Sequence, residues 1–449
     1  MEGSFEDRKR ELIEECKVPS GTFAAARERL RTFLTPFLLC FCRVEQKANA
    51  EMVVSGLISD LEAKNAESIS YLFELDRKRI QQFIGESPWQ DRPLRDELVR
   101  QVAVELGESD GIIVFDPSSF PKSGKLSVGV ARQWSGRLGK VDNCQVAVYM
   151  AYVTGRGHAL VDSSLYLPKE WTQNKTRMKS AGVPKDRQKY RTRHELILEQ
   201  LDRYGCQLPH QWITGDDELG RPAEFRRELR SRNEQYLLAV PSNTLVRDME
   251  ASPPEYCGIG VRPKQPFTHV SKWALEQSSD AWHRIDVRDG EKGPLIVEAI
   301  KRRIQTGRGK NTADETLVVI RYRDRESAVV KIDYYLGCAF AETSLAEFCR
   351  VAKAEHRIEE CIQRAKGEAG MADYEVRNWV GWNHHQTLSL LAIWFLLGET
   401  RRAKKKDTCN HRQPSATGNS FHLARSTRMR FAPRRNVANA DQIGTQSNG

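Results

Sequence analysis

Two short stretches, GIIVFD at residues 111–116 and QWITGD at residues 211–216, decide the fold that this chain predicts. Each is a mainly apolar run typical of a buried strand, and each ends in an aspartate. The elements around them are predicted in the order β-β-β-α-β-α-β, with strands at 111–115, 143–154, 158–167, 211–215 and 236–240. In a sheet of this order the first and fourth strands are parallel neighbours. Asp116 and Asp216 are therefore expected together at one sheet edge, where ligands and chemistry belong.

A third carboxylate, Glu359, lies in a helix predicted over residues 344–367. Carboxylates a few ångströms apart repel one another and favour a cation, and Mg²⁺ prefers oxygen ligands. Two such ions about 4 Å apart can activate the attacking oxygen and stabilise the leaving oxygen of a phosphoryl displacement. Asp116, Asp216 and Glu359 are thus the candidate metal ligands of a phosphodiester-cutting site. Singly, each aspartate also fits an ordinary strand-ending turn or polar loop.

Composition favours a globular, multidomain protein. The chain has 449 residues, of which 39% are apolar, and a formal net charge of +10. Nine of those ten charges come from residues 401–449, with eleven basic and two acidic residues, so the charge describes a tail more than a nucleic-acid surface. The longest apolar runs are about half the ~20 residues of a membrane span. With no signal-like start, we expect a cytosolic protein.

The period of the apolar residues divides the chain into five parts. Residues 1–105 read as a separate helical domain, a candidate DNA-binding domain whose Lys and Arg residues could contact phosphates or could simply form solvated helix faces. Residues 106–250 read as the first part of an α/β catalytic core. An inserted mixed segment, 251–340, is followed by the C-terminal helices of the core at 341–398. Gly398 is expected to end the last helix. Residues 399–449 are expected to be a basic, disordered tail.

The glycine-rich loop between residues 122 and 140 is the candidate DNA contact beside the carboxylates. Its glycines would let the backbone approach phosphates, and Trp134 could stack on a displaced base. The alternative is a plain flexible loop. The basic residues proposed to bind DNA here are Lys122, Lys125, Arg132 and Lys140.

Six ordered segments then resemble one known family: DPSSFPKSGK (116–125), SVGVARQ (127–133), GKVDNCQV (139–146), GHAL (157–160), LYLP (165–168) with Trp171, and WIT (212–214) before Asp216. They resemble bacterial insertion-sequence transposases of the DDE type, in the IS-seven-hundred-and-one-like branch. The resemblance spans roughly residues 30–398. It implies an RNase H-like catalytic core interrupted by an insertion, and cut-and-paste transposition.

The resemblance also implies site residues and partners. Its first two catalytic aspartates map to Asp116 and Asp216. Family members often carry a second aspartate directly after the first, and Pro117 stands at that position here. A glutamate followed seven residues later by lysine maps to Glu359 and Lys366, with Glu360 as the neighbour that does not fit this spacing. Lys366 would then bind the phosphate backbone of DNA. The implied cofactor is two Mg²⁺ ions, with Mn²⁺ as a substitute. The implied partners are terminal inverted repeats and target DNA, bound by an oligomer.

Two alternative functions and the origin of the tail stay open. A non-catalytic, transposase-derived DNA-binding protein would bind terminal repeats without cutting them. A stand-alone RNase H-like nuclease would cut without strand transfer. The tail after residue 404 would be either the product of an altered reading frame or a true basic arm.

Overall fold

The computed structural model describes residues 25–290, 293–307, 312–323 and 329–410. The longer helices are α1 (Ala26–Leu38), α2 (Val44–Leu57), α3 (Ala66–Leu72), α4 (Arg77–Gly85), α5 (Arg92–Leu106), α8 (Arg193–Tyr204), α10 (Ala223–Ser231), α12 (Leu345–Glu368) and α13 (Trp379–Asn410). The short helices are α6 (Lys169–Thr172), α7 (Lys175–Ser180), α9 (Asp217–Gly220) and α11 (Val270–Leu275). The strands are β1 (Ile112–Pro121), β2 (Ala131–Ser135), β3 (Lys140–Thr154), β4 (Gly157–Leu165), β5 (Trp212–Gly215), β6 (Tyr236–Ala239), β7 (Leu245–Asp248), β8 (Thr268–His269), β9 (His283–Gly290), β10 (Gly293–Thr306), β11 (Ala313–Arg323) and β12 (Val329–Cys338).

The centre of the molecule is a mixed sheet in the order β4-β3-β1-β5-β6. Strands β1, β3 and β4 form the predicted antiparallel meander, and β5 runs parallel to both β1 and β6. Helices α5, α8, α12 and α13 pack against these strands through one continuous hydrophobic core. The α/β fold class, with the RNase H-like sheet order and flanking helices, is confirmed.

The inserted segment does not interrupt the sheet but extends it. Strand β12 pairs with β6, and β11, β10 and β7 follow in order. A second hydrophobic core, which includes Val246, Trp273 and Ile304, lies in this extension. Strand β10 was not predicted from the sequence. Its run of Lys and Arg residues obscures the alternation of apolar and polar residues that identifies a strand with one buried face and one exposed face.

The first described helices form the predicted N-terminal helical part of the fold and pack into the hydrophobic core of the sheet. Leu30, Leu34 and Phe37 belong to the same buried cluster as the strands, and the Phe33 ring lies 5.3 Å from that of Phe395 in α13. A helix bundle that shares its core with the sheet is positioned rigidly against it.

Helix α13 continues through Gly398 to Asn410, so the predicted helix end at Gly398 is wrong. The Arg29 Nε atom donates to Glu399 Oε1 at 2.8 Å, which holds the next turn against α1. Residues 399–410 are therefore helix rather than tail. Residues 411–449 and the helix predicted over residues 6–17 lie outside the described residues. Within the described part, no helix is long and apolar enough to cross a membrane.

Candidate active site

Asp116 and Asp216 follow the last pair of a parallel ladder. The pairing of β1 with β5 ends at Phe115 and Gly215, so each aspartate directly follows the last paired residue. A Cβ atom on Gly215 would lie 2.9 Å from the Phe115 carbonyl oxygen, which explains the glycine at this close approach. The predicted meeting of the two aspartates is thus a consequence of parallel register.

Asp116 does not end its strand, contrary to the prediction. Residues Asp116 to Pro121 continue β1 and stay paired with β3, from Tyr149 to Cys144. Pro117 is tolerated because β1 has lost its parallel neighbour at this point, so a strand position without an N–H group costs little. Asp116 therefore projects from a strand held on one side only.

Asp216 caps the short helix α9. Its Oδ1 atom accepts the Leu219 N–H at 3.1 Å, which satisfies one of the orphan donors of that helix. Burial nevertheless raises the pKa of Asp216 to about 7, with a further contribution from Glu218, against the opposing effect of the hydrogen bond. One oxygen of Asp216 thus has a hydrogen-bond partner within the protein, and a cation that enters the cleft would stabilise the charged form of the carboxyl group.

The electrostatics of Asp116 likewise favour a bound cation. Burial raises the pKa of Asp116 well above its ordinary value, and the charges of Asp216 and Glu359 raise it further. Lys366 opposes this shift. A carboxyl group in this environment is a poor anion without a nearby cation and a good candidate for a metal ligand.

Helix α12 brings Glu359 and Lys366 to the cleft that Asp116 and Asp216 line. The Glu359 side chain is 63% exposed, with His356 Nδ1 3.6 Å from its Oε2. Lys366 Nζ donates to Ser118 Oγ at 2.9 Å and to the Ser119 carbonyl oxygen at 3.0 Å. The predicted shared helix face exists, but Lys366 ties α12 to β1 in this state.

Glu360 occupies a different face of α12. Its carboxylate accepts from Arg357 at 2.9 Å, and the pKa of Glu360 is lowered because His158 and Arg357 outweigh burial. The cleft is not lined by Glu360. Of the two neighbouring glutamates, Glu359 alone faces the aspartates.

Glu355 is a further carboxylate that the sequence analysis missed. It is one helical turn before Glu359 and lines an adjoining cleft together with Asp216 and Glu359. Burial, followed by the charges of Asp216 and Glu359, raises the pKa of Glu355 to about 8. The available signal was its spacing of four residues from Glu359, which places both on one face of the helix.

Basic and aromatic residues of the 122–140 region border the cleft on its other side. The alternation of β2 buries Ala131, Gln133 and Ser135 and exposes Arg132 and Trp134, with Trp134 lining the cleft at 57% exposure. The loop is thus in part a β-hairpin whose outer face carries the residues expected to meet DNA.

The basic residues proposed to contact DNA differ in their exposure to solvent. Lys125 and Lys140 are exposed, and Lys140 is 3.1 Å from Asp142. Lys122 is turned inward: its Nζ atom donates to the Tyr374 carbonyl oxygen at 2.9 Å, and burial lowers the pKa of Lys122 to about 8. In this arrangement Lys122 holds the loop to the core instead of facing solvent. Arg193 and Arg221 also line the cleft, and the sequence analysis missed both.

The donor set fits a divalent cation, although the ligands are not drawn together. All candidate ligands are carboxylate oxygens, as hard cations prefer. Among the described residues, no group of three or more His, Cys, Asp or Glu side chains lies close enough to hold a metal ion. Because Glu359 is largely exposed on a helix surface, its side chain is the one able to turn toward Asp116.

We predict that the Glu355 carboxylate makes stability fall as pH rises. A folded-state pKa of about 8 exceeds the ordinary value of 4.5, so the folded chain binds an extra proton between these values and loses stability as pH rises through them. Glu355→Gln should therefore melt at a higher temperature than wild type at about pH 8.5, with little difference at about pH 5, where most of the loss has not yet developed. Thermal unfolding with a chelator present measures this.

The matched control is Glu360→Gln, since the pKa of Glu360 is lowered. That variant should lose stability relative to wild type near neutral pH instead of gaining it. An advantage of Glu355→Gln that is the same at both pH values would contradict the prediction.

Comparison with known proteins shows the family of this chain. The family described as DDE superfamily endonuclease matches residues 36–294, a range that contains Asp116 and Asp216 and ends before Glu359. The chain is 32% identical over 200 residues to a probable transposase for insertion sequence element IS701 from Microchaete diplosiphon. That alignment covers 42% of this chain and 48% of the relative, so the chain matches about half of the relative's length.

Two solved structures have lower similarity. A piggyBac transposase synaptic complex with hairpin DNA has a TM-score of 0.39 at 12% identity, covering 88% of this chain and 74% of that one. The NurA nuclease from Sulfolobus solfataricus has a TM-score of 0.24 at 10% identity, covering 58% and 79%. Neither score bears on function. With more than half of its residues matched by the family, this chain belongs to the DDE superfamily endonucleases.

Proposed function

We propose that this protein is the DNA transposase of an insertion sequence, which hydrolyses a strand at the element's end and joins the freed 3′ hydroxyl to target DNA. The observation that carries the proposal is the placement of Asp116 and Asp216 after the last parallel pair, with Glu359 lining the same cleft. The cleft encloses about 1280 Å³ and is open to solvent, which suits a polymer better than a small molecule. The similarity to the IS701 protein supports the same reaction class.

Asp116, Asp216 and Glu359 would hold the metal ions, Mg²⁺ or Mn²⁺. When bound, these ions would supply an activated oxygen nucleophile and neutralise charge on the phosphate. The protein's own part is to hold Asp116 and Asp216 half-buried at the end of the pairing of β1 with β5, where burial raises the pKa of both carboxyl groups and so disfavours their charge in the absence of a cation. The bonds from Lys366 to β1 keep the face of α12 that carries Glu359 in register with Asp116.

DNA would lie along the cleft and against the exposed hairpin. Lys125, Arg132 and Lys140 are exposed and would contact phosphates, and Trp134, which lines the cleft, would offer a stacking surface. Lys366, and Lys122 if it is released from Tyr374, would add to this surface. The N-terminal helices would bind terminal inverted repeats, and two ends would be joined by an oligomer in the cytosol, at the nucleoid.

Cleavage of DNA that carries the gene's native flanks tests the proposal. Wild type and Asp116→Asn would be compared with Mg²⁺, with Mn²⁺ and with a chelator. We expect cuts at the element's ends, and joined products, only with metal and only in wild type. Asn keeps the size of the side chain but not its charge, so loss of cutting with retained DNA binding assigns the defect to chemistry.

Other results would favour the alternatives. Metal-dependent cuts that follow DNA structure instead of the element's ends, with no joined product, would identify a stand-alone nuclease. Binding to terminal repeats without cuts in either protein would identify a non-catalytic derivative. Either result would overturn the proposed transposase.

A further inference from the structure

A second, smaller cavity lies away from the carboxylates. It encloses about 220 Å³ at the junction of three parts of the fold: the start of α5, the end of β4 and the start of α13. The segment between α7 and α8 forms the remaining wall. Asp116, Asp216 and Glu359 are not among its lining residues.

The walls of this cavity are rich in cationic side chains. Six line it, namely Arg92, Arg95, Arg187, Lys189, Arg191 and Arg203. Four carboxylates neutralise part of this charge. Asp91 and Asp186 line the cavity themselves. Asp162 and Glu199 do not line it but form ion pairs with lining residues: Asp162 with Arg95 and Arg203, and Glu199 with Arg187 and Arg191.

The resulting formal charge is +2. Arg92 donates to the Tyr204 hydroxyl at 3.3 Å, and no carboxylate of the described residues lies within ion-pair distance of Arg92 or Lys189. Guanidinium and ammonium groups without anionic partners in a concave site favour an anion there.

A buried hydroxyl group also points to a ligand. Ser163 lines the cavity and is 2% exposed, yet its Oγ atom has no hydrogen-bond partner among the described residues. Buried polar atoms are normally paired, with protein or with a bound molecule. A hydroxyl group can donate to an anionic oxygen, which matches the surrounding cations.

Two helices begin at the same place. The first residues of α5, after Asp91, and of α13, at Trp379, both line the cavity, and α5 has no side-chain cap. The N-terminus of a helix carries a partial positive charge and unpaired N–H groups. In α13 the Trp379 N–H donates to the Ala181 carbonyl oxygen at 2.8 Å and the Gly381 N–H donates to Asn378 Oδ1 at 2.7 Å, so this helix contributes only its dipole, whereas the uncapped α5 also contributes N–H groups.

We propose that this cavity is a phosphate-binding site, separate from the catalytic cleft and not required by the proposed function. Arg92, Lys189 and the Ser163 hydroxyl bind the phosphate oxygens. The same chemistry has two sources, a phosphodiester of bound DNA or a free phosphate group such as that of a small metabolite. In either case the ligand bridges the N-terminal helices and the catalytic sheet.

Binding of inorganic phosphate to the full chain, by calorimetry without divalent metal and at constant ionic strength, is the first test. Arg92→Gln should weaken binding at least about tenfold and Ser163→Ala about fivefold, as expected for one charged and one neutral hydrogen bond. Arg232→Gln is the matched control, because Arg232 is also half-buried and pairs with Asp202 on α8 outside the cavity. Ser163→Ala removes only an unpaired hydroxyl, so it should fold even if Arg92→Gln does not.

Duplex DNA binding as a function of salt distinguishes the sources. If a DNA phosphate enters the cavity, Arg92→Gln lowers the salt dependence by about one phosphate contact, and Arg232→Gln does not. If a free phosphate is the ligand, inorganic phosphate binding falls in the variants and DNA binding is unchanged. The proposal is overturned if wild type binds no inorganic phosphate at millimolar concentration and both cavity variants bind DNA as the control does. Neither assay depends on cleavage, so this outcome is independent of that of the proposed function.

Discussion

We expect Glu359→Gln to lower the rate of metal-dependent DNA cleavage at least about 100-fold and to leave DNA binding intact, a larger loss than the ~10–100-fold typical when a residue that only supports a metal ligand is changed. The reason is that Glu359 raises the pKa of Asp116 through its charge and lines the cleft of both aspartates. Glutamine keeps the shape but removes the negative charge that a divalent ion needs. Single-turnover cleavage rates at saturating DNA measure the effect.

The neighbouring residue supplies the control. Glu360→Gln alters a carboxylate that is bonded to Arg357 and faces His158, so cleavage should stay within about threefold of wild type at a temperature where the variant is folded. Glu355→Gln completes the series, because Glu355 is the other carboxylate near Asp216. If Glu355→Gln abolished cleavage and Glu359→Gln did not, Glu355 would be the third ligand and our assignment would be wrong.

Arg95→Met should destabilise the folded chain by about 3–5 kcal/mol, the range found when one partner of a buried ion pair is removed. Arg95 joins three elements from within the core. Its Nη1 atom donates to Asp162 Oδ1 and to the Ser163 carbonyl oxygen, each at 2.7 Å, and its Nε atom donates to Thr387 at 2.8 Å. The substitution leaves Asp162, whose side chain is fully buried, with Arg203 at 3.5 Å. Urea unfolding followed by circular dichroism measures the loss.

Arg100→Met on the same helix is the control for charge and helix propensity. Arg100 pairs with Glu97 at 2.7 Å but is 60% exposed, and solvent-exposed ion pairs add little to stability. A loss for Arg95→Met no larger than that for Arg100→Met would show that the buried contacts do not couple the N-terminal helices to the sheet.

Much of the candidate active site could be predicted from the sequence. The apolar runs before Asp116 and Asp216 are local patterns, and the order of elements makes their strands parallel neighbours. The resemblance to the transposase family rested on ordered motifs from residue 116 onward and agrees with the family match over residues 36–294. Glu359 and Lys366 were assigned from the glutamate-to-lysine spacing that the resemblance implies, and helical periodicity then predicts that they share one face of the helix.

Other features could not be predicted because they depend on contacts between distant parts of the chain. Helix α13 passes Gly398 since Arg29, 370 residues earlier, bonds to Glu399. Lys122 turns inward because Tyr374 offers a carbonyl oxygen and an aromatic face, with Nζ 3.5 Å from the ring centroid. The inserted strands join the central sheet because β12 pairs with β6, which no local pattern specifies.

The sequence by itself determined the sheet order, the two aspartates and the family, because apolar period, turn residues and motif spacing are properties of neighbouring residues. Only the tertiary structure decided which glutamate faces the aspartates, that Glu355 joins them, and that a cationic cavity forms beside Ser163. Burial and charge at those positions are set by side chains that approach from other elements, and a residue's pKa and partners depend on that surrounding set.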